Sequence, residues 1–270
     1  MCQVLEVSRG GFYQWQRRAA SQRELENAEI IRQMKIIHKR SRGTYGSPRM
    51  HAALAFKGID CSLNRVARLM MQAGLRAKTK KRFKATTQSK HDLPIAPNLL
   101  AQEFSIDRPN AVWVSDITYI ATDEGWLYLA TTLNLFSRKV VGWAMEPHMK
   151  TDLVHAALTM AIDGRSPGPG VLHHSDRGSQ YASKRYQEAL KAAEMICSMS
   201  RKGNCYDNAV QESFYHTLKT ELVFHERFMT RAEAKAKIFE YIEVFYNRDR
   251  LHSTLGYKSP AMFESEHQAA

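Results

Sequence analysis

Three acidic residues stand where an acid is costly to keep. Asp116 falls in the middle of "AVWVSDITYI" (111–120), a run of β-branched and aromatic residues, on the face it shares with Val112 and Val114. Asp176 ends "GVLHHSD" (170–176), a strand-like stretch that runs straight into Arg177 and Gly178. Glu212 follows "RKGNCYDNAVQ", in the early turns of a helix expected to start at Asn208, since Asn208 and Gln211 have capping-box spacing. An unpaired carboxylate inside an apolar strand is costly unless it meets a cation or another partner. Two carboxylates side by side repel, and a divalent metal is the usual relief. Asp116 and Asp176 become neighbours if the strand after the first crossover lies beside the first strand. Between Asp176 and Glu212 lie 35 residues, a weak signal by itself in a chain with 27 Asp and Glu among 270 residues. Strand centre, strand end and helix face together are the stronger signal.

The residues around these acids extend the chemistry. His216 and Lys219 come four and seven positions after Glu212 and share its helix face. Val210, Phe214, Leu218 and Leu222 fall roughly opposite, towards a core, while Glu221 sits among them without an explanation. Ser175, Arg177 and Gln180 flank Asp176 and can serve its hydrogen bonds or a substrate phosphate. His173 and His174 read as structural or substrate-contacting rather than as ligands of such a metal, because a hard divalent cation prefers oxygen.

Positioning such a set requires a sheet. "AVWVSDITYI", "GWLYLATTLNLF" (125–136) and "KVVGWAM" (139–145) predict three antiparallel strands. A helix over 151–164 follows, with Thr151 as its expected cap and Leu153, Val154, Ala157, Leu158 and Ala161 on one face. Next come the strand ending at Asp176, a helix over about 181–194, the strand "ICSMS", and helices over 208–224 and 231–247. A meander followed by parallel crossovers makes an α/β fold, a mixed five-stranded sheet flanked by helices. The first part is all-α. "CQVLEVSRGGFYQW" predicts the end of one helix, a turn at Val7-Ser8 and a second short helix, and residues 20–40 predict a charged helix. "SPRMHAALAFKGIDCSLNRVARLMMQAGL" predicts a complete helix-turn-helix, started by Pro48, interrupted at Gly58 and capped again at Ser62, with Val66, Leu69 and Met70 inward.

Charge divides the chain in the same way. The net charge is +12, yet residues 1–100 hold 20 Lys and Arg against 6 Asp and Glu, and residues 101–270 hold 19 against 21. A positive excess confined to the first part points to a nucleic-acid-facing region of residues 1–85. Its basic run includes Lys80, Lys81 and Arg82, suited to lying along phosphates. A polar linker over 86–104 and a catalytic region over 105–265 follow. The four cysteines are scattered, so neither a disulfide framework nor a zinc ribbon is indicated. No run reaches the ~20 apolar residues of a membrane span and no signal peptide opens the chain, so a cytoplasmic protein with no membrane partner is expected.

"SRGTYGSPRMHAAL", "NAVWVSDITYI", "GWLYLATTLNLFSRKVVGWAM", "HHSDRGSQYAS", "SRKGNCYDNAVQESFYHTLKTEL" and "YIEVFYNRDRLHSTLGYKSP" are similar to segments of one family. The chain resembles, nearly end to end, the second-reading-frame transposases of bacterial insertion sequences, whose core is related to retroviral integrases. The resemblance implies a ribonuclease-H-like fold and an acidic triad that maps onto Asp116, Asp176 and Glu212. It also implies that an upstream frame supplies a further helix-turn-helix and a zipper. The short motif at residue 2 fits the downstream half of such a fusion.

By that resemblance the three carboxylates hold two Mg²⁺ (or Mn²⁺) ions about 3.5–4 Å apart, which serve the attacking and departing oxygens of phosphodiester transfer. A strand is cut at the element's end, and the freed 3′-hydroxyl attacks another strand, without ATP. The partners implied are double-stranded DNA (terminal inverted repeats and target), further copies of the chain on DNA, and the upstream-frame product. The protein would be bacterial and nucleoid-associated when bound to DNA. Lys219, Arg201, Lys202, Arg177 and His216 are expected to grip DNA near the cut, with Arg250 and His252 of the "YNRDRLHSTLGY" tail. Two other readings stay open: a nuclease of the same fold that only hydrolyses, and a DNA-binding regulator with an inert catalytic half.

Overall fold

The computed structural model describes residues 2–4, 6–79, 93–201 and 205–268, so Lys80, Lys81, Arg82 and Lys202 lie outside the described residues. It divides into two compact units, Met1–Ala77 and Lys78–Ala270.

The first unit is helical: α1 (Arg9–Arg17), α2 (Gln22–Arg40), α3 (Ser47–Ala55) and α4 (Leu63–Gln72). Ser8 caps α1, but residues 2–4 form a turn, not the expected helix end. Ser21 and Glu24 form a reciprocal capping box at α2. Pro48 sits in the first turn of α3, and the Ser62 hydroxyl accepts from the Arg65 N–H to start α4. Val66, Leu69 and Met70 are buried as expected, against Ile30, Met34 and Ile37 of α2 and Met50 and Leu54 of α3. Helix α1 buries no residue.

The second unit carries β1 (Val112–Thr122), β2 (Gly125–Asn134), β3 (Val140–Glu146), β4 (Leu172–Ser175) and β5 (Ile196–Met199). They form one mixed sheet in the order β3-β2-β1-β4-β5. β1 pairs antiparallel with β2, and β2 with β3, while β4 lies parallel to both β1 and β5. This is the sheet expected of the ribonuclease-H-like class. Helix α5 (Thr151–Arg165) buries Leu153, Val154, Ala157, Leu158 and Ala161, although Thr151 is its first residue and Lys150 takes the cap without a side-chain bond. A Cβ on Gly142 of β3 would fall 2.1 Å from the Ala157 carbonyl oxygen, so only glycine lets α5 settle this close. The helix expected over 181–194 is split into α6 (Ser179–Ala182) and α7 (Lys184–Ala192), because Ser183 is extended and caps the second piece.

Helices α8 (Ala209–Glu221), α9 (Arg231–Glu240) and α10 (Pro260–Gln268) complete the unit. The stretch expected as one helix over 231–247 changes after Glu240 to a π-helical turn, Tyr241–Tyr246, with Tyr241, Ile242, Phe245 and Tyr246 buried. α5 and α7 pack on the sheet face of Trp113, Ala130 and Gly142. The opposite face, with Thr131 and by register Asp116, receives α8. Residues 97–100, expected to be linker, are fixed to β5: the Leu99 N–H donates to Ser198 Oγ at 2.9 Å, and Leu100 is buried. Among the described residues no helix is long and apolar enough to cross a membrane.

Candidate active site

The parallel pairing of β1 with β4 sets Ser115 opposite Ser175. The next residue in each case is an acid, Asp116 within β1 and Asp176 just past the end of β4. Each is half-buried and each is aimed by local backbone. Asp116 Oδ1 accepts the Ile117 N–H at 2.8 Å, and Asp176 Oδ1 accepts the Gly178 N–H at 2.8 Å. A Cβ at Gly178 would lie 2.9 Å from that Asp176 oxygen, so the turn brings its backbone close against the carboxylate. Burial pushes the Asp116 carboxyl well above its ordinary range, and the charges of Asp176 and then Glu212 push it further.

Glu212 arrives on α8. Asn208 was expected to cap this helix with its side chain; instead it forms no cap bond, and its Nδ2 donates to the Ser115 carbonyl at 3.3 Å. Gln211, the other half of the expected box, is buried and donates to Thr131 Oγ1. The helix start is therefore tied to β1 beside Asp116 rather than capped. Tyr215, one turn on, donates its hydroxyl to the Asp116 carbonyl oxygen. Glu212 is exposed overall, yet its carboxyl end is desolvated enough to raise its pKa. Tyr215 was not singled out in the sequence and Gln211 only as a capping residue, although 211, 215, 218 and 222 follow the i, i+4, i+7, i+11 pattern of a buried stripe.

Lys219 and His216 share the Glu212 side of α8 as expected. Lys219 Nζ lies 4.9 Å over the Tyr119 ring, and burial lowers its pKa while Asp116 opposes that shift. His216 is exposed. Arg177 Nε donates to the Ser200 carbonyl. Arg201 pairs with Asp207 at 2.8 Å and holds that carboxyl far below its ordinary range. His173 and His174 are fully buried. His173 Nε2 contacts Ser115 Oγ at 3.0 Å and the Tyr186 hydroxyl at 3.1 Å, and His174 bonds Ser198 and Ser200. Burial lowers their pKa to about 3 and about 4, so both imidazoles are neutral supports.

Arg250 and His252 require correction. Both are buried, and the Arg250 guanidinium forks onto Glu221, with Nη2 to Oε1 at 2.7 Å and Nε to Oε2 at 2.9 Å. A guanidinium that is itself buried and committed to a buried carboxylate is withdrawn from any phosphate. The same pair, with the Tyr241 hydroxyl on Glu221 Oε2 at 2.8 Å, explains the acid left over on the apolar side of α8.

Asp116 and Asp176 offer only oxygen donors, and their mutual repulsion is the condition a hard divalent cation relieves; in donor chemistry the set fits Mg²⁺ or Mn²⁺. Among the described residues no group of three acids, histidines or cysteines closes on one point.

Family models match three stretches: an HTH-like domain over residues 24–83, and an integrase core domain over 106–205 and again over 212–267. The chain is 49% identical over its whole length, and that of the relative, to "Insertion element IS600 uncharacterized 31 kDa protein" of Shigella sonnei. It is 44% identical over its whole length, and 94% of the relative, to "Transposase InsF for insertion sequence IS3A" of Escherichia coli K12. Among solved structures, a simian T-cell lymphotropic virus intasome in complex with PP2A regulatory subunit B56 gamma matches with 17% identity and a TM-score of 0.49, over 79% of this chain and 70% of that one.

Proposed function

The chain belongs to the IS3 family of insertion-sequence transposases, and on that premise we propose that it cuts its element's ends and joins the freed 3′-hydroxyl to another DNA strand. The observation that supports this most is the pairing of β1 with β4 up to Ser115 and Ser175, which puts Asp116 and Asp176 at the adjoining positions, where the charges of Asp176 and Glu212 both raise the Asp116 pKa. Asp116, Asp176 and Glu212 are the proposed catalytic and metal-holding residues. Divalent ions bound there supply relief of charge at the attacking and departing oxygens. The chain's part is to hold the carboxylates in place: Gly178 aims Asp176, Tyr215 fixes the backbone at Asp116, and Asn208 anchors the helix that carries Glu212. In each step a water or 3′-hydroxyl oxygen bonds to phosphorus, the old P–O bond breaks, and the departing 3′-oxygen takes the electron pair and a proton. One phosphodiester replaces another in joining, so no nucleotide is consumed. Lys219, half-buried two turns from Glu212 over the Tyr119 ring, is proposed to hold a phosphate near the cut, with His216, Arg177 and Arg201 as further contacts. Lys80, Lys81, Arg82 and Lys202 remain proposed DNA contacts. Assembly of several copies on the DNA and pairing with an upstream-frame product belong to the same proposal.

The test is cleavage and strand joining on a labelled inverted-repeat end in Mg²⁺ or Mn²⁺, with the upstream product added where needed. Asp116→Asn, Asp176→Asn and Glu212→Gln are each expected to abolish both steps and leave DNA binding intact. Joining that persists in any variant removes that residue from the set. Hydrolysis without joining in the parent protein supports a nuclease, and a parent that binds without cutting supports an inert regulator.

A further inference from the structure

Two buried tyrosines sit against each other behind the acidic pair. Tyr181 and Tyr186 meet edge to face with ring centroids 5.3 Å apart, and each is 1% exposed. Tyr186 is satisfied, since its hydroxyl bonds His173 Nε2 at 3.1 Å. The Tyr181 hydroxyl is buried and has no hydrogen-bond partner among the described residues. Native proteins rarely tolerate such a group, because it has left water without recovering a bond, and phenylalanine would fill the same space without that penalty. The retained oxygen calls for a partner that it meets in another state of the site.

Its surroundings narrow the choice. The Tyr181 ring lies on the turn that shapes Asp176: a Cβ on Gly178 would be 2.9 Å from Asp176 Oδ1 and 3.6 Å from Tyr181 Cδ2. The Tyr181 amide is tied back to the Gly178 carbonyl at 3.0 Å, and its carbonyl accepts from Gln187 Nε2 at 2.7 Å, so the residue is fixed at both ends of its backbone. The charged groups that act on the hydroxyl are Asp116 and Asp176, and the other neighbours that act on it are the phenols of Tyr186 and Tyr215. Tyr215 is already committed to Asp116 O and Thr131. An ionised carboxylate only accepts hydrogen bonds, and a phenol held this far from ionisation only donates or accepts as a neutral group. Carboxylate and hydroxyl are thus complementary as acceptor and donor.

We propose that Tyr181 is a positioning residue whose hydroxyl donates to the Asp116–Asp176 carboxylate pair when both are ionised around a divalent cation, fixing their rotamers. This rests on the metal-holding reading of that pair. Outer partners of metal ligands typically change affinity 10- to 100-fold when removed.

The test uses the full-length protein and three chains: parent, Tyr181→Phe and Asp176→Asn. Mg²⁺ and Mn²⁺ binding is read by calorimetry, and melting temperature is read with and without EDTA. Tyr181→Phe is expected to melt at or above the parental temperature in EDTA, to bind Mg²⁺ about tenfold more weakly, and to regain cleavage at raised Mn²⁺. A structural role moves the EDTA melting temperature downward and leaves cation affinity at the parental value, and that outcome overturns the proposal. Parental affinity with an unchanged melting temperature overturns it too. Asp176→Asn separates the two readings: if it also binds Mg²⁺ as the parent does, the metal-holding pair itself is wrong. If only Tyr181→Phe retains parental binding, the pair stands and Tyr181 does not serve it.

Discussion

Asp116 stands where its surroundings oppose a charge. Burial, Asp176 and Glu212 all raise its pKa above the ordinary 3.8, so the folded chain takes up its proton more readily than the unfolded chain. Stability contributed by this group is therefore full at low pH and is lost as pH rises past 3.8 towards the raised value. Asp116→Asn removes that loss. In EDTA at neutral pH the variant is expected to melt above the parent, each kcal/mol of relieved repulsion being worth about 2–4 °C in a domain of this size. The difference should vanish below about pH 3.8. A variant that melts lower at pH 7 would show the charge to be structural. Asp116 and Asp176 stood out in the sequence because each broke a local pattern, an acid in an apolar strand or at a strand end. Tyr181 and Tyr215 were not, since a tyrosine fits an apolar position and its hydroxyl's partner depends on the third dimension.

Helix α8 carries the proposed catalytic acid on one side and packs into the core with the other. Gln211, Phe214, Tyr215, Leu218 and Glu221 are buried, while Glu212 and His216 face outward. Periodicity predicted both sides but not the ion pair that joins α8 to the tail. Arg250 lies 29 residues beyond Glu221, and its stretch "YNRDRLHSTLGY" is polar and basic enough to read as a DNA contact. Only folding shows that Tyr241, Glu221 and Arg250 close a buried network. Removing one partner leaves the other charge stranded in the interior, at a cost of about 3–5 kcal/mol, whereas replacing both with apolar groups is often neutral. Arg250→Met is expected to lower the urea midpoint by an amount matching that cost, and Glu221→Leu/Arg250→Met to recover most of it. If the double variant is as unstable as the single, the network is not a self-contained pair. A DNA-gripping Arg250 would instead leave the midpoint unchanged and weaken binding. The break at Ser183 and the π-helical turn after Glu240 escaped the sequence for a related reason. Apolar spacing continues through both, and what changes is the backbone bonding beneath it.

Over the whole molecule, charge and chemistry are separated along the chain. The first hundred residues carry 20 Lys and Arg against 6 acids, and the remainder is nearly balanced, with several of its basic groups spent internally. Glu264 shows the internal use. Burial alone would raise its pKa, yet Ser137, Arg165 and Lys139 hold it below the ordinary value, and with Asn134 they fasten α10 to the sheet. Arg68, on the outward side of α4, and Arg76 are exposed, as is Lys191 at the end of α7. If the first unit supplies the phosphate contacts, the logarithm of DNA affinity should fall steeply with the logarithm of salt. The slope of the full-length protein should drop by about 0.9 for each contact removed. Arg68→Ala and Arg76→Ala are expected to reduce both affinity and slope. Lys191→Ala should change neither, and Asp176→Asn should leave the slope at its parental value while abolishing cleavage. The measurement is a duplex-binding titration at several salt concentrations. A slope that falls for Lys191→Ala and not for the two arginines would place the phosphate contacts on the second unit, and the charge asymmetry would then have another cause.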